Sequence, residues 1–296
     1  MFRLNYNESI SSTCGLLGVS RQVYYRAIRA KQKRQTVSTK VLDLVQNVRI
    51  EQPRIGTRKL YHILKEQLQQ LGVGRDRLFA ILKANKMLIL QKRSYHITTN
   101  SHHRFRKHNN LIERIIPKRP EQIWVADITY VGTRQNPMYL FLITDAYSKK
   151  IVGYYLSNTL EANGAIKALQ LAIKHRQYPE KPLIHHSDRG LQYCSDGYQE
   201  LLNKNTIECS MTESYDPYQN AVAERINGIL KQEFLINTKN ANLNIMQKIV
   251  KQSIVIYNTK RPHLSCEMLT PQHMHEQEAV KIKTYKKKIS QQTMVC

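Results

Sequence analysis

Three acidic residues stand where a bare surface charge is hard to explain. They are Asp127 in Trp124-Val-Ala-Asp127-Ile-Thr-Tyr130, Asp188 in His185-His-Ser-Asp188-Arg-Gly190, and Glu224 in Asn220-Ala-Val-Ala-Glu224-Arg-Ile-Asn227. Asp127 interrupts an apolar run, where an unpaired carboxylate costs several kcal/mol unless a cation or a reaction uses it. Asp188 closes a second apolar run, and Glu224 follows it with 35 residues between. Three carboxylates converging from two strands and a helix can hold two divalent cations about 3.5–4 Å apart, the arrangement that in-line phosphoryl displacement uses. The expected chemistry is metal-assisted phosphoryl transfer, with all three acids as catalytic residues and metal ligands.

The elements that carry these acids are legible from periodicity. Ile123–Val131, Tyr139–Asp145 and Ile151–Leu156 read as strands separated by short polar turns, hence an antiparallel meander. Helical spacing follows over Leu160–His175, a strand over Pro182–Ser187, a helix over Asp196–Leu202 and a strand over Ile207–Met211. A polar loop over Thr212–Gln219 leads into helices over Asn220–Leu235 and Ile245–Tyr257. The pattern predicts an α/β fold, a mixed five-stranded sheet with flanking helices. Along the first strand, Trp124, Ala126, Ile128 and Tyr130 alternate with Val125, Asp127, Thr129 and Val131, and both sets are largely apolar. Such a strand belongs in the middle of the sheet. Asp145, where the second strand turns, is expected to cap that turn, a role in which Asn substitutes with little loss. His185 and His186 alternate faces, and neither is assigned as a metal ligand. Asn220, Glu224, Asn227 and Lys231 share one helix face, a stripe that a solvent-exposed amphipathic helix explains as well as a Glu224 that holds metal beside a Lys231 that meets a DNA phosphate.

Charge separates the two halves of the chain. The net charge is +24, and residues 1–120 hold 25 Lys and Arg against 6 Asp and Glu, whereas residues 121–296 hold 21 against 16. A basic front half beside a nearly neutral core points to nucleic acid as partner, not a membrane surface. No apolar stretch approaches the ~20 residues of a membrane span, and the start of the chain lacks a secretory layout. The five cysteines, odd in number and never spaced C-x-x-C, read as reduced thiols of a cytoplasmic protein.

Within the basic half, residues 9–30 read as helix, turn, helix, with Ile10, Cys14 and Leu17 at helical spacing, a break at Gly18 and an N-cap at Ser20. A similar pattern returns at Leu71-Gly-Val-Gly-Arg-Asp-Arg-Leu78, preceded by a helix over Thr57–Lys65 and running on to about Asn85. Both resemble helix-turn-helix units, which makes Arg21, Arg26, Arg75 and Arg77 candidate DNA contacts. Five segments are expected: a helix-turn-helix-like segment over 1–35, a second helical domain over 36–95, a basic linker over 96–118, a catalytic core over 119–276 and a basic tail over 277–296.

The motifs around the acids are similar to those of a known family. Trp124-x-x-Asp127-x-Thr129-Tyr130, Thr144-Asp-Ala-Tyr-Ser148, His186-Ser-Asp-Arg-Gly190-x-Gln-Tyr193, Asn220-Ala-x-Ala-Glu224 and Tyr257-Asn-x-x-Arg261-Pro-His263 resemble the second-reading-frame (OrfB) transposases of bacterial two-frame insertion sequences, in the DDE integrase superfamily. The resemblance implies an RNase H-like catalytic core and two Mg²⁺ ions, with Mn²⁺ able to substitute. It also implies 3′-hydroxyl attack on the phosphodiesters of double-stranded element ends and target DNA. It further implies a homo-oligomer on DNA and an upstream-frame product as fusion or partner. Two other readings use the same acids: a transposase-derived DNA-binding regulator without catalysis, and an RNase H-fold nuclease that cuts without joining.

Overall fold

The computed structural model describes residues 9–90, 108–113, 115–133, 136–212, 220–236 and 242–278. The expected linker over 96–118 and the tail over 277–296 lie largely outside these residues, as does most of the loop before Asn220.

The front half is helical. Helix α1 (Ile10–Leu16) is capped by Ser9, whose Oγ accepts from Ser12 N at 3.0 Å. Gly18 then turns the chain at φ 64°, a left-handed conformation that costs glycine little. Helix α2 (Arg21–Glu51) starts at Ser20, whose Oγ accepts from Val23 N at 3.3 Å. It continues for 31 residues, so the boundary expected at 35/36 falls inside a helix. No Gly or Pro occurs between 21 and 51 to stop it. Helices α3 (Thr57–Ile63), α4 (Lys65–Gln70) and α5 (Arg75–Ala84) complete this half. The helix expected over Thr57–Lys65 is thus divided at Leu64. Val41 and Val45 of α2 pack with Ile55, Leu60, Leu68, Leu78 and Leu82 in a core of their own. Leu17, expected on a packed face, is instead exposed.

The second half is built on β1 (Ile123–Gly132), β2 (Pro137–Asp145), β3 (Ile151–Ser157), β4 (Leu183–Ser187) and β5 (Ile207–Met211), in the order β3-β2-β1-β4-β5. The first three form the expected antiparallel meander, with Asp127 opposite Leu142, while β4 runs parallel to both β1 and β5. Strand β1 is therefore central, as its two apolar faces require. Its Trp124 and Ala126 pack with Phe141, Ile143 and Ala165, Ala168, Leu169 and Ala172 of helix α6 (Ala162–Lys174). That helix lies so close to β3 that a Cβ on Gly153 would stand 2.3 Å from the Ala168 carbonyl oxygen. Helices α7 (Leu191–Cys194) and α8 (Asp196–Lys204) follow β4. On the other face, Val131, Leu140 and Leu142 meet Ile226, Ile229 and Leu230 of helix α9 (Ala221–Glu233) and Val250, Ile254 and Tyr257 of helix α10 (Leu243–Lys260). A short final helix, α11 (Pro271–His275), seals the edge near Asp145 and was not legible in advance. Among the described residues, no helix is long and apolar enough to cross a membrane.

Candidate active site

Parallel pairing of β1 with β4 sets Trp124 beside His185 and Val125 beside His186. Continuing that register by two residues puts Asp188 beside Asp127, about one strand spacing (~4.8 Å) away in backbone. Two acids separated by 60 residues of sequence thus become neighbours on one side of the sheet. Asp188 stands just beyond the last residue of β4, and its Oδ1 accepts from Gly190 N at 3.0 Å. That bond tightens the β4–α7 turn at the strand's C-terminal edge, the usual place for a site in an α/β fold.

Helix α9 is laid across β1 by two asparagines. Asn220 Nδ2 donates to the Ala126 carbonyl at 3.0 Å, and Asn227 Nδ2 donates to Asp127 Oδ2 at 2.6 Å. Glu224 lies between them in sequence, one turn from each, and so on the helix face that looks toward the acids on the strands. Both asparagines are buried, and each also buries a side-chain oxygen with no partner among the described residues. The polar stripe is therefore divided: Asn220 and Asn227 are buried against β1, Lys231 is half-buried and Glu224 is exposed. The asparagines were visible as a pattern, but their bonds to β1 are tertiary facts.

Electrostatics link Asp127 to each of the other two acids. Burial, then the negative charge of Asp188, push the Asp127 carboxyl up from 3.8 to about 7. The bonds from Asn227 and from its neighbour Ile128 N hold it down, and the Glu224 charge adds a smaller upward push. Burial alone raises Glu224, although that residue is exposed at its outer edge. Asp127 and Asp188 are the close pair and Glu224 stands further out. Among the described residues, no three His, Cys, Asp or Glu side chains are gathered tightly enough to enclose a metal. The donors nonetheless fit a hard dication. All are carboxylate oxygens, the set that suits Mg²⁺ or Mn²⁺, and the pair repels itself strongly without a positive charge.

Lys231 is half-buried two turns beyond Glu224. Burial lowers its ammonium pKa, and the attraction of Asp127 opposes that shift, so it belongs to the same field. Arg21, Arg26, Arg75 and Arg77 are exposed on the helical half, away from the acids. Arg75 pairs with Asp76 at 2.8 Å, and Arg77 donates to the Gly72 carbonyl at 3.2 Å. His185 and His186 are wholly buried. The first contacts Tyr198 Oη and the second Ser210 Oγ, each at 2.8 Å, and burial drops His185 to about 3. Both serve the core.

Asp145 caps its turn. It is fully buried and accepts from Glu121 N, Ser148 N and Ser148 Oγ, each at 2.7 Å. With every one of these bonds incoming, Asn is expected to be less well tolerated here than at an ordinary turn cap. An amide NH₂ would face donors.

A central strand and a neighbouring parallel strand, each bearing an acid, crossed by a helix bearing a third, define a polynucleotidyl transferase core of the integrase type. Residues 117–217 and 205–271 both match the family described as Integrase core domain. The IS600 insertion-element protein of Shigella sonnei is 34% identical over 89% of this chain and 97% of its own length. Transposase InsF of insertion sequence IS3A from Escherichia coli K12 is 29% identical over 89% of this chain and 93% of its own. The chain belongs to the insertion-sequence transposases with an integrase core domain, and it is a DDE-type polynucleotidyl transferase. Among solved structures, the simian T-cell lymphotropic virus intasome chain is 21% identical, with TM-score 0.48 over 78% of each chain. The HTLV-2 integrase catalytic core, solved with magnesium, is also 21% identical, with TM-score 0.43 over 53% of this chain and 97% of that one.

Proposed function

We propose that Asp127, Asp188 and Glu224 hold two Mg²⁺ ions, with Mn²⁺ able to substitute, and that the chain cleaves and rejoins DNA strands at the ends of its insertion element. The observation that carries this reading is the position of Asp127, enclosed beside Asp188 and within reach of the Glu224 charge, with its carboxyl pushed to about 7. The bound metal supplies Lewis-acid polarisation of the phosphodiester and of the attacking oxygen. The chain's own groups do the rest. Asn227 keeps Asp127 aimed at the helix, and Asn220 keeps the helix on the strand. Lys231 offers its ammonium to a backbone phosphate beside the cluster. The helical half, with 25 basic residues in positions 1–120, supplies affinity that falls steeply with salt. Its exposed Arg21, Arg26, Arg75 and Arg77 are the proposed duplex contacts. We take double-stranded element ends and target DNA as the substrates, a homo-oligomer on DNA as the working form, and an upstream-frame product as fusion or partner.

The test uses the full chain, a labelled duplex of the terminal inverted repeat and Mg²⁺ or Mn²⁺. A joined product is expected, and it disappears in Asp127→Asn, Asp188→Asn and Glu224→Gln. Hydrolysis without joining would make the chain a nuclease, and binding without either reaction would make it a regulator.

A further inference from the structure

Among the described residues, the two halves of the molecule share no apolar core. The helical half packs residues between 37 and 88 among themselves, and none of the catalytic half's clusters takes a residue from before Ile112. Most of the polar residue pairs that join them among the described residues converge on Glu233, at the last turn of the helix that carries Glu224. Arg261, beyond the end of α10, grips Glu233 with two parallel bonds, Nε to Oε2 at 2.8 Å and Nη2 to Oε1 at 2.9 Å. Lys59 of α3 reaches across from the helical half to Oε1 at 3.0 Å. The Glu233 backbone carbonyl accepts from Arg54 N, also at 3.0 Å. A second bridge, Lys260 Nζ to Glu51 Oε1 at 2.7 Å, ties the ends of α10 and α2, but it is far more exposed.

The chemistry singles out Glu233. It is one acid shared by two cations, with Arg261 almost wholly buried and the Lys59 side chain only 13% exposed. Burial would raise its carboxyl, but Arg261 and Lys59 outweigh that and hold it low. Without its charge, Lys59 and Arg261 would face each other unneutralised at a half-buried seam, which is unfavourable. Small polar seams between domains otherwise permit relative motion. Nine residue steps of helix, about 13.5 Å at ~1.5 Å each, separate this anchor from Glu224.

We propose that Glu233 is a positioning residue that docks the helical half onto the catalytic helix, so that DNA held by the first is aligned with the acids of the second. This rests on the transposase reading. Glu233 itself touches no reacting atom. Its role is to convert two tethered domains into one measuring unit, so its loss is felt most on DNA long enough to engage both halves.

The experiment compares full-chain wild type, Lys59→Gln, Glu233→Gln and the double variant. Cleavage is measured on a terminal inverted-repeat duplex in two lengths, one long enough to reach the helical half and one too short. Lys59→Gln leaves the Glu233–Arg261 pair in place, so the catalytic half keeps its fold, checked by thermal melting. Lys65→Gln, on an exposed lysine of α4, controls for the lost charge and should keep the wild-type ratio between lengths. The expected result is a loss of about tenfold on the long duplex only, with the double variant no worse than the single ones. Small-angle scattering of the DNA-free variants should show a larger radius of gyration. Equal losses on both lengths, additive losses in the double variant, or unchanged scattering would overturn the proposal. Should wild type cleave neither duplex, the transposase reading fails, and the scattering still decides whether Glu233 docks the halves.

Discussion

Replacing Asp127 by Asn removes the carboxylate on which the cluster's repulsion centres, and the consequence depends on pH. A rise from 3.8 to about 7 corresponds to at most about 4 kcal/mol, and to roughly 2 kcal/mol once relaxation and screening around a residue that is partly exposed are counted. The sign follows from proton binding. Below about pH 4 the group is protonated whether the chain is folded or not, and it contributes nothing. Between there and about pH 7 the folded chain keeps a proton that the unfolded chain gives up, so wild-type stability declines as pH rises. Above about pH 7 the penalty is complete and constant. Asn escapes it, and it also fits. Asn227 can turn its amide to offer the oxygen that now lacks a partner, while the new side chain's own oxygen still accepts from Ile128 N. Metal-free Asp127→Asn should therefore melt roughly 4–8 °C above wild type at about pH 8 and level with it near pH 4. Mg²⁺ should raise the wild-type melting temperature at the higher pH and leave the variant unmoved, while strand joining is lost. A variant that melts below wild type by the same amount at both pH values, or that still gains stability from Mg²⁺, would refute the cluster reasoning.

Other perturbations separate catalysis from architecture. Lys231→Ala should weaken binding of element ends in a fluorescence anisotropy titration, while Mg²⁺ still stabilises the protein in a melt. Loss of the metal effect with normal end binding would contradict the role given to that helix face. Asp145→Asn should cost about 2–4 kcal/mol of stability, because a buried, triply bonded carboxylate is replaced by a group that must donate. A denaturant titration with an unshifted midpoint would refute it. The Asp145 carboxyl is held below its ordinary value against burial, with His275 and Ser148 as the stabilising partners. Its contribution is thus present above about pH 4 and lost as the solution is acidified through its lowered pKa. A fragment from Pro120 onward keeps only a small share of the positive charge, so it should lose most duplex binding at moderate salt. Equal retention on a filter by fragment and full chain would move the DNA-binding surface into the catalytic half.

Much of the molecule was legible from local pattern, and the physics explains which part. Alternation along Ile123–Val131 made β1 central, and Asp127 stood out because it broke an apolar run. Ser20 announced the start of α2, because capping is settled by a residue and its next few neighbours. Strand bounds agreed to within a residue or two, since turn chemistry and side-chain alternation are short-range properties. The same locality misled for α2, where an expected boundary at 35/36 had no Gly or Pro behind it, and it did not reveal that Asp145, besides capping its own turn through Ser148, also accepts from Glu121 N, 24 residues away.

What tertiary structure alone decided lies between segments far apart in the chain. Nothing local dictates that β4 pairs in parallel with β1 in the register that brings Asp188 beside Asp127. Periodicity showed that Asn220, Glu224, Asn227 and Lys231 share a helix face. It could not show that two of them, Asn220 and Asn227, pin the helix to β1 through their amides. Nothing in the sequence around Glu233 marks it as an anchor; Lys59 and Arg261 reach it from 174 and 28 residues away. Residue types and spacing along a chain determine dihedral preference and which side of an element is apolar. The distances that make a carboxylate a ligand, a cap or an anchor arise only when those apolar sides pack against one another.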